Sequence, residues 1–270
     1  MMKRKPCVAG TFYPGQKERL RQTIERLTSA PPLARKKAFA VVAPHAGYEY
    51  SGRVAGAVFS SVDIPRTVVV LGPGHRDIGS LFAVQREGSW LSPLGETPIQ
   101  TELASSILEL CPAAREDERS HLGEHSLEVE LPFIQYYESE ASLVPVCVSY
   151  EADYADLEEL GHALAGAIRA FGRHALIVAS TDMSHYVNQA AAEAKDRLAI
   201  RKVLDLDPRG LFDTVRDQNI SMCGYQPTTA ALVAARDLGA AKAELVLYET
   251  SGERTGDYSQ VVGYAGLRIL

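Results

Sequence analysis

The chain has 270 residues, 46% of them hydrophobic and 23% charged, and a formal net charge of −6 at pH 7. This is the composition of an ordinary globular protein with ample core, and its negative balance argues against nucleic acid as the main partner. No apolar run approaches the roughly 18–20 residues that span a bilayer. The basic start MMKRKPCVAGTFYPG is broken by Pro6, Gly10 and Pro14, so it does not read as an export signal, and the expected setting is cytoplasmic without a membrane partner.

In chain order, FAVVAPH (Phe39–His45) predicts a strand and Gly52–Ser61 a helix. TVVVLGPGH (Thr67–His75) predicts the next strand, and SLFAVQ a short one behind it. Helical spacing follows near Gln100–Leu110 and from about Ser126 to Tyr137; between them AREDERSHLGEH reads as a solvated loop. SLVPVCV (Ser142–Val148) is a strand leading into the Ala-rich helix DLEELGHALAGAIRAFG. ALIVAST (Ala175–Thr181) is a strand leading to a helix near Ala190–Leu204. SMCGYQPTTAALVAARDLG opens another helix near Pro227, with Ala231, Leu232, Ala235 and Leu238 on one stripe, and AELVLYE and SQVVGYAGLRI close the chain as strands. Short unbroken apolar runs are strands covered on both faces, and their alternation with helices gives a mostly parallel sheet. The expected fold is α/β, a three-layer α/β/α architecture. With no repeat, low-complexity tract or long linker, it is read as a single domain over residues 1–270.

The four cysteines, Cys7, Cys111, Cys147 and Cys223, form no C-x-x-C pair, so neither a zinc ribbon nor a thioredoxin-type motif is present. Cys7, Cys111 and Cys147 are expected to be unpaired: Cys147 buried in its strand, Cys111 ending a helix before Pro112. Cys223 differs because it stands at the mouth of a helix. Such a place suits either a small buried residue or a thiolate stabilised by the helix N-terminus.

Three of the seven histidines, His45, His75 and His185, lie just beyond the carboxyl ends of predicted strands. In open α/β sheets ligands bind there, so the three can face one crevice. Their loops, APHAGYEYSG, GPGHRD and STDMSHY, carry Gly and Pro for tight turns, and Asp182 stands three residues before His185. His162 and His174 read as structural. His121 and His125 are four apart, but Gly123 between them argues against a helical metal pair; His125, with Tyr48 of the first loop, can line the same pocket. The acidic pairs Glu128/Glu130 and Glu158/Glu159 read as solvated helix faces. No P-loop, G-x-G-x-x-G or G-x-S-x-G motif competes. Two imidazoles and one anion, either Asp182 or the Cys223 thiolate, form a set suited to a divalent metal with open coordination positions.

AGTFYPG, PHAGYEYSG, GPGH, EHSLEVELPF, STDMSHY and CGYQP together resemble the Memo family, the Memo-like component of the prokaryotic AmmeMemoRadiSam system. The motifs run from Ala9 to Pro227, nearly the whole chain. The resemblance implies a fold like that of the class III extradiol ring-cleaving dioxygenases, which hold Fe(II) by two histidines and a glutamate. It implies His45 and His75 at the imidazole positions and Cys223 at the carboxylate position. It also places His185 near the dioxygenases' catalytic histidine, with Asp182 beside it. Iron or copper is the implied metal, with zinc as a further option. A thiolate in place of a carboxylate is a softer, oxidisable ligand, which argues against catechol cleavage.

Two functions follow as expectations. One is a metal-dependent redox enzyme acting on a small molecule or a modified amino acid, with His185 as acid/base and Asp182 setting its tautomer. The other is a non-catalytic module that keeps the pocket to hold metal or a peptide. It would serve a partner such as a radical-SAM or AMMECR-type protein.

Overall fold

Apolar runs of the sequence become the parallel strands at the middle of one large sheet. The computed structural model describes residues 2–28, 34–76 and 79–270. Its strands are β1 (Lys3–Arg4), β2 (Ala40–Ala43), β3 (Thr67–Pro73), β4 (Phe82–Val84), β5 (Ser89–Ser92), β6 (Gly95–Pro98), β7 (Ala114–Glu116), β8 (Ser142–Val148), β9 (Leu176–Ser180), β10 (His185–Val187), β11 (Ala243–Thr250) and β12 (Val261–Ile269). Its helices are α1 (Lys17–Leu27), α2 (Gly52–Ser60), α3 (Thr101–Leu110), α4 (Leu131–Tyr137), α5 (Tyr154–Phe171), α6 (Gln189–Leu204), α7 (Pro208–Asp217), α8 (Tyr225–Leu238) and α9 (Gly252–Thr255).

The large sheet runs β10–β12–β2–β9–β3–β8–β4–β7, with β11 also paired to β12. Strands β2, β9, β3 and β8 are parallel, while β12 and β4 flank them antiparallel. Every residue of β2, β3 and β9 is buried, as strands covered on both faces require. The two faces show on β12. A side chain at Gly266 would meet Val54 and Val58 of α2, whereas one at Gly263 would meet Asp196 of α6. Three residues apart on a strand means opposite faces. Helices α1, α2 and α4 pack together on the first face, and α6, α7, α8, α5 and α3 form a chain of contacts on the second. This is the expected three-layer α/β/α arrangement.

The middle of the chain departs from expectation. AREDERSHLGEH is not a solvated loop: it contributes β7 and a 3-10 turn (Arg119–His121), and it buries both His121 and Glu124. The helix expected from Ser126 starts at Leu131, with Pro132 in its first turn, and a 3-10 turn (Glu128–Glu130) precedes it. Glu128 and Glu130 are fully buried rather than solvated, while Glu158 and Glu159 are exposed as expected. A small sheet of β1, β5 and β6 was unforeseen, as were α1 and α7. All four cysteines are free; Cys147 is buried in β8 and Cys111 caps α3.

Candidate metal centre

The register of the parallel strands sets the height of each loop. Ala43 pairs with Ser180 and Pro73 with Val148. Two residues further along each strand direction stand His45, Asp182, His75 and Tyr150, all at the carboxyl edge of the sheet. Strand β9 lies between β2 and β3, so His45 and His75 come from strands one apart rather than from neighbours. Their rings are nevertheless 5.4 Å apart, centre to centre.

His125 completes the cluster from the segment between the two 3-10 turns. Its ring stacks on His75 at 4.6 Å and meets His45 edge-on at 5.5 Å. One nitrogen from each of His45, His75 and His125 lies within 4.8 Å of the others. Close approach of two backbones makes this possible. Gly72 at the end of β3 has no side chain where a Cβ would come within 2.6 Å of Ser126 Oγ, so the His125 segment settles directly on the strand that carries His75.

The far side of each ring is held. His75 Nδ1 is 2.9 Å from Glu124 Oε1, and its backbone N–H donates to Glu124 Oε2 at 2.7 Å. Ser126 N–H also donates to Glu124 Oε1, at 2.8 Å. Burial opposes ionisation of Glu124, but the His75 side chain and these two amides outweigh it and hold the carboxyl down at about 2. A carboxylate only accepts, so His75 carries its proton on Nδ1 and presents the Nε2 lone pair. Carboxylate–histidine pairs of this kind orient metal ligands. His45 Nδ1 is 2.8 Å from Ser180 Oγ, and its imidazole is kept neutral by burial and by the neighbouring histidines His125 and His75.

Cys223 lies beside the cluster, its Sγ 3.4 Å from His45 Nε2. It precedes α8 by two residues, with Gly224 as the N-cap. The sulfur accepts from Asp182 N–H at 3.2 Å, and burial together with the Asp182 charge pushes the thiol well above its ordinary range. Without a cation at hand it is therefore a thiol, not the thiolate that a helix mouth alone suggests; a coordinated metal reverses that balance. The positioning again rests on a missing side chain: a Cβ on Gly224 would stand 2.3 Å from the Ser180 carbonyl oxygen.

Asp182 and His185 are placed differently from the expected acid/base pair. Asp182 Oδ1 accepts from the backbone N–H groups of His45 (2.9 Å) and Ala46 (3.3 Å), which fixes the His45 loop. Burial pushes its carboxyl up to about 6, against the charge of His185 and those two amides. His185 Nδ1 lies 2.8 Å from the Ser221 carbonyl oxygen, so Ser221 rather than Asp182 sets its tautomer, leaving Nε2 as an acceptor. Tyr48 spends its hydroxyl on the Val129 carbonyl at 2.8 Å and packs its ring on Phe133. It borders a neighbouring cleft of about 1260 Å³ that also takes in Phe12, whose ring edge meets His125 at 5.0 Å.

Residues that sequence reasoning missed form the support. Arg4 is fully buried, lies over the Trp90 ring, and donates to the carbonyl oxygens of His121 (2.7 Å) and Glu124 (2.6 Å) and to Glu128 Oε2 (2.6 Å). Glu128 also accepts from the N–H groups of Cys7 and Val8 and from the Tyr13 hydroxyl. The N-terminal segment is thus a strap across the turn that carries Glu124 and His125.

The model of the Memo-like protein family matches residues 4–268. A MEMO1 family protein of Methanopyrus kandleri is 40% identical over 98% of both chains. Another, from Aquifex aeolicus, is 41% identical over the whole of both chains. In fold, the chain resembles an uncharacterized protein from Escherichia coli K12, with a TM-score of 0.59, 17% identity, and 85% of this chain and 98% of that one covered. No helix among the described residues is long and apolar enough to cross a membrane.

Proposed function

The chain belongs to the Memo-like protein family, and on that premise we propose that it is a metal-binding redox enzyme whose centre is the crevice at the strand ends. The observation that carries this reading is the cluster of His45, His75 and His125, each offering a nitrogen within 4.8 Å of the others. The donor set fits a metal. His75 is locked by Glu124 with its Nε2 lone pair free, His45 is uncharged, and a thiol stands 3.4 Å from His45 Nε2. His45, His75 and Cys223 would hold the ion, with His125 as a further or exchangeable donor. Iron or copper suits imidazole and thiolate together, and zinc is the redox-inert alternative.

When bound, the metal supplies Lewis acidity and, for iron or copper, one-electron chemistry. The chain's own groups do the rest. His185, its Nδ1 proton tied to the Ser221 carbonyl, offers Nε2 to take a proton from a substrate. Asp182 holds the His45 loop at the height of the ring cluster. The substrate would be a small molecule or a peptide side chain in the crevice. In a cytoplasmic setting a radical-SAM or AMMECR-type protein would be the partner. A second reading is a binding module without turnover that keeps the same crevice.

Metal analysis of anaerobically purified protein tests the first step. Ligand that binds only the folded state raises stability by about 2.7 kcal/mol at a hundredfold excess over Kd. Added Fe(II) or Cu(I) is therefore expected to raise Tm in the wild type and not in His45→Ala/His75→Ala. Equal shifts in both would refute the site. Turnover with oxygen or a reductant, lost in His185→Ala, distinguishes the enzyme from the binding module.

A further inference from the structure

Glu130 is fully buried, and among the described residues its Oε2 has no hydrogen-bond partner. Unlike Glu128, which is paired with Arg4, it faces no cation among those residues. Its Oε1 lies 2.8 Å from Ser180 Oγ. The same hydroxyl oxygen is 2.7 Å from the Ser126 carbonyl oxygen and 2.8 Å from His45 Nδ1.

Those three partners can be satisfied in one way. A serine hydroxyl has one proton to donate and two lone pairs to accept with. The Ser126 carbonyl can only accept, so it takes the proton. Both lone pairs then face donors: Nδ1–H of His45 and a protonated oxygen of Glu130. If Glu130 were instead ionised and took the serine proton, the Ser126 carbonyl oxygen would sit 2.7 Å from a hydroxyl oxygen with no proton between them. A carboxylate with one oxygen unpartnered would also be buried, which costs far more than burying the acid.

We propose that Glu130 is a buried carboxylic acid donating to Ser180, and that Ser180, its own proton held by the Ser126 carbonyl, is the positioning residue that fixes His45 as the Nδ1–H tautomer with its Nε2 lone pair turned to the metal centre. Burial, helped by the Asp182 charge, pushes the Glu130 carboxyl well above the ordinary carboxylate range, in the direction the proton count requires. The role differs from that of Glu124, a carboxylate that accepts from its histidine directly. One ligand is oriented by an anion and the other by a hydroxyl backed by a neutral acid, so the pocket gains a single buried negative charge at those two positions rather than two. Only the final clause, the metal, rests on the function proposed above.

The test begins with metal-free protein. The infrared difference between wild type and Glu130→Gln is expected to show the carbonyl band of a buried carboxylic acid at neutral pH; carboxylate bands in its place would overturn the proposal. Imidazole 15N shifts are expected to show His45 protonated on Nδ1 in the wild type and in Glu130→Gln, whose amide N–H₂ replaces the donor. In Ser180→Ala, where Nδ1 loses its partner, the two tautomers should both be populated. A wild-type Nε2–H tautomer, or a Ser180→Ala variant indistinguishable from wild type, would overturn it. With Zn(II) as the probe, Ser180→Ala is expected to weaken binding about 10–100-fold, the usual range for groups behind a ligand, while Glu130→Gln leaves it unchanged. Unchanged binding in Ser180→Ala would refute the positioning role. If the wild type binds no Zn(II), the metal reading fails, whereas the infrared and 15N results still decide the proton on Glu130.

Discussion

At the scale of single residues, the centre depends on acceptors that cannot be exchanged for donors. Glu124 receives three hydrogen bonds, from His75 Nδ1, His75 N–H and Ser126 N–H, spread over both of its oxygens. A glutamine at this position can accept on one oxygen only, so its amide N–H₂ must face at least one of these donors. Glu124→Gln is therefore expected to release the His75 ring and weaken Zn(II) binding about 10–100-fold. Titration calorimetry reads this directly, and an unchanged Kd would show that Glu124 does not orient the ligand. The same logic explains the expected pairing of Asp182 with His185 that the structure does not make. Asp182 is drawn to two amides of the His45 loop, where a carboxylate is better satisfied than by one imidazole already bonded to a carbonyl.

At the scale of elements, the N-terminal strap holds the turn with Glu124 and His125 against β5 and the histidine cluster. Arg4→Met keeps the apolar contact with Trp90 but strands Glu128 as a buried charge. Removing one partner of such a pair costs about 3–5 kcal/mol. Urea denaturation is expected to show a loss of that order, and a loss below about 1 kcal/mol, the range of surface pairs, would place the ion pair outside the core. This strap also marks where the sequence stops being legible. His45 and His75 could be found because they follow apolar strand runs, and strand ends in a parallel sheet face one crevice. Glu124, Glu128 and Glu130 could not, because acids among acids and bases look like a solvated turn until the fold buries them, and until Arg4, more than a hundred residues away in sequence, is seen to pair with Glu128 and hold the Glu124 carbonyl. His125 was visible as a crevice residue but not as a cluster member, since its position is set by Gly72 admitting the turn onto β3. Helix α7 did carry a local signal, Asp207 as N-cap followed by Pro208 at the first turn, and this could have been read.

At the scale of the whole molecule, buried titratable groups make stability depend on pH in opposing ways. His121 is fully buried, and burial, reinforced by the charge of Arg4, lowers it from 6.5 to about 4. Above pH 6.5 it is neutral in both folded and unfolded chains and has no effect. As pH falls from 6.5 to 4 the unfolded chain takes up the proton first, so folding loses stability. Asp182, raised by burial from 3.8 to about 6, does the reverse: its charge penalises the fold above pH 6, and that penalty is relieved as pH falls to 3.8. Between pH 7 and 4.5 each displacement changes stability by about 2 kcal/mol, at 1.36 kcal/mol per tenfold change in proton affinity. His45 and His125 are also lowered and act with His121, while Glu130 and Asp196 are raised and act with Asp182. Relative to the wild type's own change over that range, His121→Gln should come out about 2 kcal/mol more stable at pH 4.5. Asp182→Asn, whose amide oxygen can still accept from the His45 and Ala46 N–H groups, should come out less stable by a similar amount. Urea unfolding of the three proteins at both pH values measures the two differences, independently of any damage common to both pH values. Parallel changes in all three would mean that neither group changes its proton affinity on folding.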